Sequence, residues 1–221
     1  MSDLIQSLRQ LSLFAPLSDD ILRKVARVLH QRTYSPGQVI VLEGEPCQAV
    51  YFVAQGLVRT RRMSLEGREQ VLAYLGPGQS FGLAPAVDNG HNPATVDAVT
   101  EATLYIIPCH HFRQLIRHEP DLAMLVLRQL AAEVRRLSDL VEDLALHPVS
   151  TRLARFLLTQ AEEGQPHRHW TQEEIAAQIG TVREVVGRTL RAFAAAGLIR
   201  RQRGRLVVVD REGLQREAAG G

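Results

Sequence analysis

Four charged side chains on one short segment carry the sharpest chemistry in this sequence: Arg183, Glu184, Arg188 and Arg191 in VREVVGRTLRAFAAAG, residues 182–197. An arginine can donate two hydrogen bonds to guanine O6 and N7, and a glutamate can accept one from cytosine N4, so this set can read a G·C-containing duplex edge. At 100° per residue Glu184 and Arg188 stand ~40° apart and Arg183 and Arg188 ~140° apart, a polar fan over the first turns of a helix. Val182, Val186, Leu190 and Phe193 form the opposing stripe expected to be buried. Gly187 interrupts the fan and is expected to let the backbone approach nucleic acid closely. The plain alternative is a Glu184–Arg188 surface ion pair worth about a few tenths of a kcal/mol.

Such a fan is useful only if neighbouring elements hold it. Thr171-Gln172-Glu173-Glu174 fits the capping box, in which the Thr hydroxyl takes an early helix N–H and the Glu carboxylate reaches back to the cap N–H. A short helix then runs to Gly180, and a second starts at about Val182, which describes a helix-turn-helix with Thr171 and Gln172 at its entry. Beyond it, Gly197-Leu198-Ile199 leads into RRQRGRLVVV, read as a two-stranded wing turning at Gly204, with Arg203 and its neighbours Arg200, Arg201 and Arg205 placed for phosphates. Charge follows the same division: residues 1–147 hold 14 basic and 16 acidic residues, residues 148–221 hold 12 and 8, and the whole chain is +2. A basic C-terminal third points to a polyanion such as double-stranded DNA.

Upstream, the hydrophobic period identifies two further parts. Leu127, Leu130, Val134, Leu137, Val141 and Leu144 are spaced 3, 4, 3, 4 and 3, an a/d seam of nearly three heptads after Pro120. With Val126 and Leu140 beside it, the stripe is wide enough to pack on its own domain and still offer the seam to a second copy. An ordinary buried helix is the alternative. Before it, VIVL (39–42), AVYFV (49–53), VLAYL (71–75) and TLYII (103–107) alternate with turn sequences such as SPG, EGEP and GPGQ, which predicts an antiparallel roll. A short amphipathic helix carrying Ile21, Leu22, Val25 and Leu29 precedes the roll, and Val149 to Glu163, with Leu153, Phe156, Leu157 and Ala161, is another helix. The expected fold is α+β: an N-terminal antiparallel, jelly-roll-like β-roll (1–119), a long dimerisation helix (120–146) and a C-terminal winged helix-turn-helix (147–221).

The string Arg183-Glu184-Val185-Val186-Gly187-Arg188, set between Thr171–Gly180 and Gly197-Leu198-Ile199, resembles the recognition-helix signature of the cyclic-AMP receptor protein / fumarate–nitrate regulator family. The resemblance covers nearly the whole chain. It implies a β-roll effector domain, a dimerisation helix matching the seam, a winged helix reading a palindrome with TGTGA-like half-sites, and contact with RNA polymerase. Cyclic-nucleotide binders of the family place a Glu after Phe-Gly for the ribose and an Arg further along for the phosphate. Here Leu83 follows Phe81-Gly82, and Asn92-Pro93 falls at the Arg position. A cyclic phosphate without its cation loses a charge-assisted contact, which argues against cyclic AMP as effector. The iron–sulfur branch resembles a four-cysteine site, which Cys47 and Cys109 alone do not supply.

Phe81, Gly82, Leu83, His91, Asn92 and Ala94 are the candidate effector-pocket residues, and a different small ligand, or a haem on His91 or at His110-His111 that reports a gas, is an alternative to a ligand-independent roll. Two cysteines cannot build a disulfide framework, which fits a reducing compartment, and no apolar stretch reaches a membrane span. A cytoplasmic location is expected, with no membrane partner. The competing enzyme reading, a metal-dependent cupin, needs HxH on roll strands, and the string HRH occurs only at 167–169. The sequence therefore predicts a homodimeric, sequence-specific transcription activator that is neither an enzyme nor dependent on cyclic AMP.

Overall fold

Apolar runs rich in β-branched and aromatic residues become strands because such side chains fit a pleated, half-buried surface. The structure, a computed structural model, describes residues 2–67, 69–162, 170–202 and 205–220. In chain order it contains α1 (Ser2–Arg9), α2 (Asp19–Val28), β1 (His30–Tyr34), β2 (Val39–Val41), β3 (Ala49–Gln55), β4 (Val58–Met63), β5 (Glu69–Leu75), β6 (Ser80–Phe81), α3 (Leu83–Asp88), β7 (Thr95–Ala98), β8 (Ala102–Pro108), α4 (Cys109–His118) and α5 (Pro120–Leu146). There follow α6 (Val149–Glu162), α7 (Gln172–Ile179), α8 (Arg183–Ala195), β9 (Ile199–Gln202), β10 (Arg205–Val208) and α9 (Arg211–Ala219). Residues 1–62 and 72–136 form one compact unit, and residues 63–71 and 137–221 the other.

Two four-stranded sheets, ordered β1-β8-β3-β6 and β2-β7-β4-β5, make the predicted roll, with β1–β8, β3–β8, β2–β7 and β4–β7 paired antiparallel. The run AVYFV lacks polar alternation because β3 is covered on both faces. Ala49, Tyr51 and Val53 join Val58, Phe81, Val96 and Leu104 between the sheets. Val50 and Phe52 join Phe14, Leu22, Phe112 and Leu122 under the helices. Gly56 turns β3 into β4 at φ +84, where a Cβ would run into the Glu101 carbonyl, so only glycine fits. On β7, Asp97 is 4% exposed and accepts from Arg59 Nε at 2.9 Å and Arg61 Nε at 2.6 Å. A carboxylate this buried is stable only when paired in this way.

Several elements escaped the sequence reading. The strands HQRTY, VRTRRM and TVDA are polar on one face, and their ladders are set by partners far along the chain, as His30 opposite Ile106 and Arg59 opposite Asp97 show. α4 occupies the stretch after Pro108 where the hydrophobic period becomes helical, ahead of the helix that starts at Pro120, whereas α1, α3 and α9 lack a clear signal in the sequence.

α5 runs for 27 residues, ~40 Å at 1.5 Å per residue. Leu122 and Val126 are buried on the first unit, and Arg136 fixes the helix further on by donating to the Leu72 carbonyl at 2.6 Å. Along the seam Leu127, Val134, Leu137, Val141 and Leu144 are exposed, with Val134 at 64% and Val141 at 65%. Leu130 differs, packing partly against the first unit's core.

The second unit is built on Leu153, Leu157, Ile175, Ile179, Val186, Leu190, Phe193, Leu198 and Leu214. Two residues depart from expectation: Val182 is the exposed N-cap of α8 instead of part of its buried stripe, and Ala161 is exposed near the end of α6. α9 closes this core with Leu214, and Asp210 caps it by accepting from the Gly213 N–H at 2.8 Å.

Candidate nucleic-acid interface

The entry to α7 is the capping box read from the sequence. Thr171 Oγ1 accepts from the Glu174 N–H at 3.1 Å, and Glu174 Oε2 accepts from the Thr171 N–H at 2.8 Å. Two orphan donors of the first turn are thereby satisfied. Gly180 ends α7 at φ +67, and the Thr181 N–H returns to the Ala176 carbonyl at 2.9 Å. This left-handed turn lets α8 begin three residues later.

Helical periodicity then sorts α8 into faces. Val186, Leu190 and Phe193 are buried, while Arg183, Glu184, Arg188 and Arg191 are exposed. The alternative reading, a Glu184–Arg188 ion pair, is not formed among the described residues. Arg183 instead bonds back to Glu173 of α7, Nη1 to Oε1 2.8 Å, with both side chains about 60% exposed. Glu184 and Arg188 thus keep their donors and acceptors directed to solvent, and forming a base contact would require neither to break a protein bond.

Gly187 sits where the two helices of the motif meet. It is buried, and a Cβ there would lie 3.0 Å from Gln172 Oε1. The missing side chain makes room for Gln172 at the α7–α8 crossing.

β9 and β10 pair antiparallel, with Gln202 opposite Arg205 and Ile199 opposite Val208. Ile199 is buried, whereas Arg200 and Arg201 are exposed. Arg203, the turn at Gly204 and the HRH string lie outside the described residues.

The six effector-pocket candidates fall in different surroundings. Phe81 stacks on Tyr51 between the sheets, ring centroids 4.7 Å apart, and burial pushes the Tyr51 phenol up to about 12. Leu83 enters the core beneath the helices, and Gly82 precedes it at φ +80 against the Ala49 carbonyl. His91 is exposed and bridges Pro46, Asn92 is 7% exposed and tied by its backbone to Gly44 and Glu45, and Ala94 is buried. A surface cleft of about 420 Å³ exists elsewhere, lined by Ser7, Gln31, Gln55, Thr103 and Tyr105, and includes none of the six. His110 and His111 lie at the start of α4 with their rings tilted against each other, centroids 3.9 Å apart. No described helix is long and apolar enough to cross a membrane.

A β-roll, a long helix and a winged helix-turn-helix together define a class of DNA-binding transcription regulators. Residues 31–119 match the cyclic nucleotide-binding domain, and residues 151–217 match the Crp-like helix-turn-helix domain. The CRP-like cAMP-activated global transcriptional regulator of Mycobacterium tuberculosis is 30% identical over 219 residues, 96% of this chain and 98% of its own. The cyclic AMP receptor protein of Thermus thermophilus is 33% identical, over 85% of this chain and 88% of its own. Among solved structures, a transcriptional regulator of the Crp/Fnr family from Eubacterium rectale superimposes with a TM-score of 0.82 at 25% identity, covering 96% of this chain and 99% of that one. The chain belongs to the CRP/FNR family of transcription regulators. Nothing in these matches indicates an enzymatic activity.

Proposed function

We propose that the protein is a homodimeric activator that reads a palindrome with TGTGA-like half-sites through α8 and does not depend on cyclic AMP. The observation that carries this reading is the exposed, unpaired Glu184 and Arg188 beside Arg183 and Arg191, on a helix launched by the Gly180 turn. Arg188 and Glu184 contact base edges, Arg183 and Arg191 flank them, and Arg203 and the exposed wing arginines contact phosphates. Thr171 and Gln172 hold the entry to α7 at the backbone, and Gly187 serves indirectly by seating Gln172.

The three parts 1–119, 120–146 and 147–221 act as effector domain, dimerisation helix and DNA-reading domain. Pairing of two copies through Leu127, Leu130, Val134, Leu137, Val141 and Leu144 places two recognition helices about one DNA turn, ~34 Å, apart. Bound to DNA upstream of a promoter, the dimer contacts RNA polymerase.

Independence from cyclic AMP rests on Leu83 and Asn92-Pro93. The Mycobacterium tuberculosis and Thermus thermophilus relatives are a cAMP-activated regulator and a cyclic AMP receptor. Here Leu83 is buried among apolar side chains, where the ribose hydroxyl would find no carboxylate, and the position of the phosphate partner carries no cation. The test is a titration of protein as isolated into labelled TGTGA-type palindrome and random duplex, with and without cyclic AMP, recording the absorption spectrum of the same sample. Specific binding unchanged by the nucleotide is expected. Specificity that appears only with cyclic AMP overturns the effector reading, and a Soret band supports the haem alternative.

A further inference from the structure

Cys47 and Cys109 stand 62 positions apart in the chain, yet their sulfurs are 3.0 Å apart. The fold forces this meeting. Ala49 pairs with Pro108 at the end of the β3–β8 ladder, and one step beyond, the Cys109 N–H donates to the Gln48 carbonyl at 2.9 Å. Both thiols therefore emerge at the same end of the ladder, closer than two sulfur van der Waals radii, with an S–H shared between them. Cys109 is buried at the start of α4, and Cys47 is half-buried above it.

The thiol hydrogen bond from Cys47 holds the Cys109 thiol below its ordinary range, and Arg113, one turn along α4, adds to this. The same pairing, with burial, pushes Cys47 up. Two thiols in contact, one more readily ionised than the other, form the arrangement in which one sulfur attacks an oxidant and the other resolves the product.

We propose that Cys47 and Cys109 form a reversible dithiol–disulfide site, oxidised by hydrogen peroxide, that locks the segment holding the Phe81–Ala94 stretch to the start of α4. The Cys109 thiolate attacks one peroxide oxygen, the O–O bond breaks, and the departing hydroxide takes the Cys47 proton and leaves as water. Cys47, now a thiolate, attacks the Cys109 sulfenic sulfur, the S–O bond breaks, and the hydroxide expelled takes up a solvent proton. Two thiols and one peroxide thus give one disulfide and two waters, with two electrons passing from the sulfurs to the peroxide.

The bond would act on a connected strip of backbone. Gly44 and Asn92 exchange one hydrogen bond, Asn92 and Glu45 a second, and the Cys47 N–H donates to the Gly90 carbonyl at 3.2 Å. From the other side Arg113 donates to the Ala86 carbonyl of α3 at 3.1 Å. Fixing Cys47 to Cys109 fixes both ends of the loop that closes α3. An effect on DNA binding rests on the function proposed above, whereas the disulfide itself does not.

The test uses full-length protein, reduced and then freed of reductant, treated with graded hydrogen peroxide. Thiols are titrated after denaturation, and non-reduced peptides are weighed. Both thiols should disappear together, one intramolecular Cys47–Cys109 peptide pair should appear lighter by two hydrogens, and dithiothreitol should restore both. In Cys47→Ser, Cys109 should stop at sulfenic or sulfinic acid, with no linked peptide. Loss of the thiols one at a time without a linked peptide, cross-links between chains, or resistance to peroxide would each overturn the proposal. Because the linked peptide is sought in the wild type, a variant that fails to fold does not remove the test. A linked peptide with unchanged DNA affinity leaves the redox site standing and removes only its regulatory effect.

Discussion

Arg188 and Glu184 differ from the arginines of the wing in what they can distinguish. A bidentate arginine on guanine carries sequence information, whereas an arginine on a phosphate carries none. Arg188→Ala should therefore weaken binding to the cognate palindrome by ~1–3 kcal/mol and relax the preference at one base pair, while binding to random duplex changes little. Arg203→Ala should weaken both duplexes alike and lower the salt dependence of binding, because one fewer phosphate is neutralised. Fluorescence anisotropy titrations on both duplexes at several salt concentrations separate the two, and equal losses for Arg188→Ala on both would remove its role as a base reader. Arg183 is a different case: its bond to Glu173 must be given up, or shared, before it can reach DNA.

Elements hold these side chains through local hydrogen bonds whose loss can be measured. Thr171→Ala removes the hydroxyl half of the capping box and should cost the second unit about 0.5–2 kcal/mol, read as a lower urea midpoint for its unfolding. In α5, Arg136 lies beside Glu133, Nη2 to Oε1 2.6 Å, and holds that carboxyl below the usual range. A carboxyl depressed in the folded state stabilises above its unfolded value, and that contribution disappears as pH falls through the folded one. The gap in melting temperature between wild type and Glu133→Gln should thus be constant near neutrality and close in acid. It should also be small, since the two side chains are 49% and 39% exposed and water screens the pair. A gap that widened in acid would show that Glu133 does not act through its charge.

For the whole molecule, the decisive surface is the row Leu127, Val134, Leu137, Val141 and Leu144, apolar and exposed on a helix otherwise anchored by Leu122 and Val126. So much aliphatic surface left in water on one helix edge is expected to be covered in the active species. Leu137→Glu should shift sedimentation from dimer to monomer and abolish tight palindrome binding, leaving the far-ultraviolet spectrum of a folded chain. A dimer that survives this substitution, and Val141→Glu as well, would take the seam out of the account. Leu130, partly packed on its own unit, is a poorer site for this experiment, because a charge there would also damage folding.

How much was legible in the sequence follows from the distance over which each feature is decided. The Thr171 capping box, the Gly180 turn, the polar fan of α8, the 3,4 seam and the wing depend on residues within a few positions of one another, so their spacing alone announces them. The roll was legible as a class of fold because β3 and β8 are apolar on both faces, but the polar strands β1, β4 and β7 were not, since their partners lie far along the chain. Tertiary structure alone gave Gly187 its neighbour Gln172, sent Phe81 and Leu83 into separate cores, and paired Arg183 with Glu173. It also brought Cys47 to Cys109, two residues that looked unrelated in sequence. These are contacts between segments that become neighbours only when sheets and helices pack, and local periodicity carries no record of which surfaces will meet.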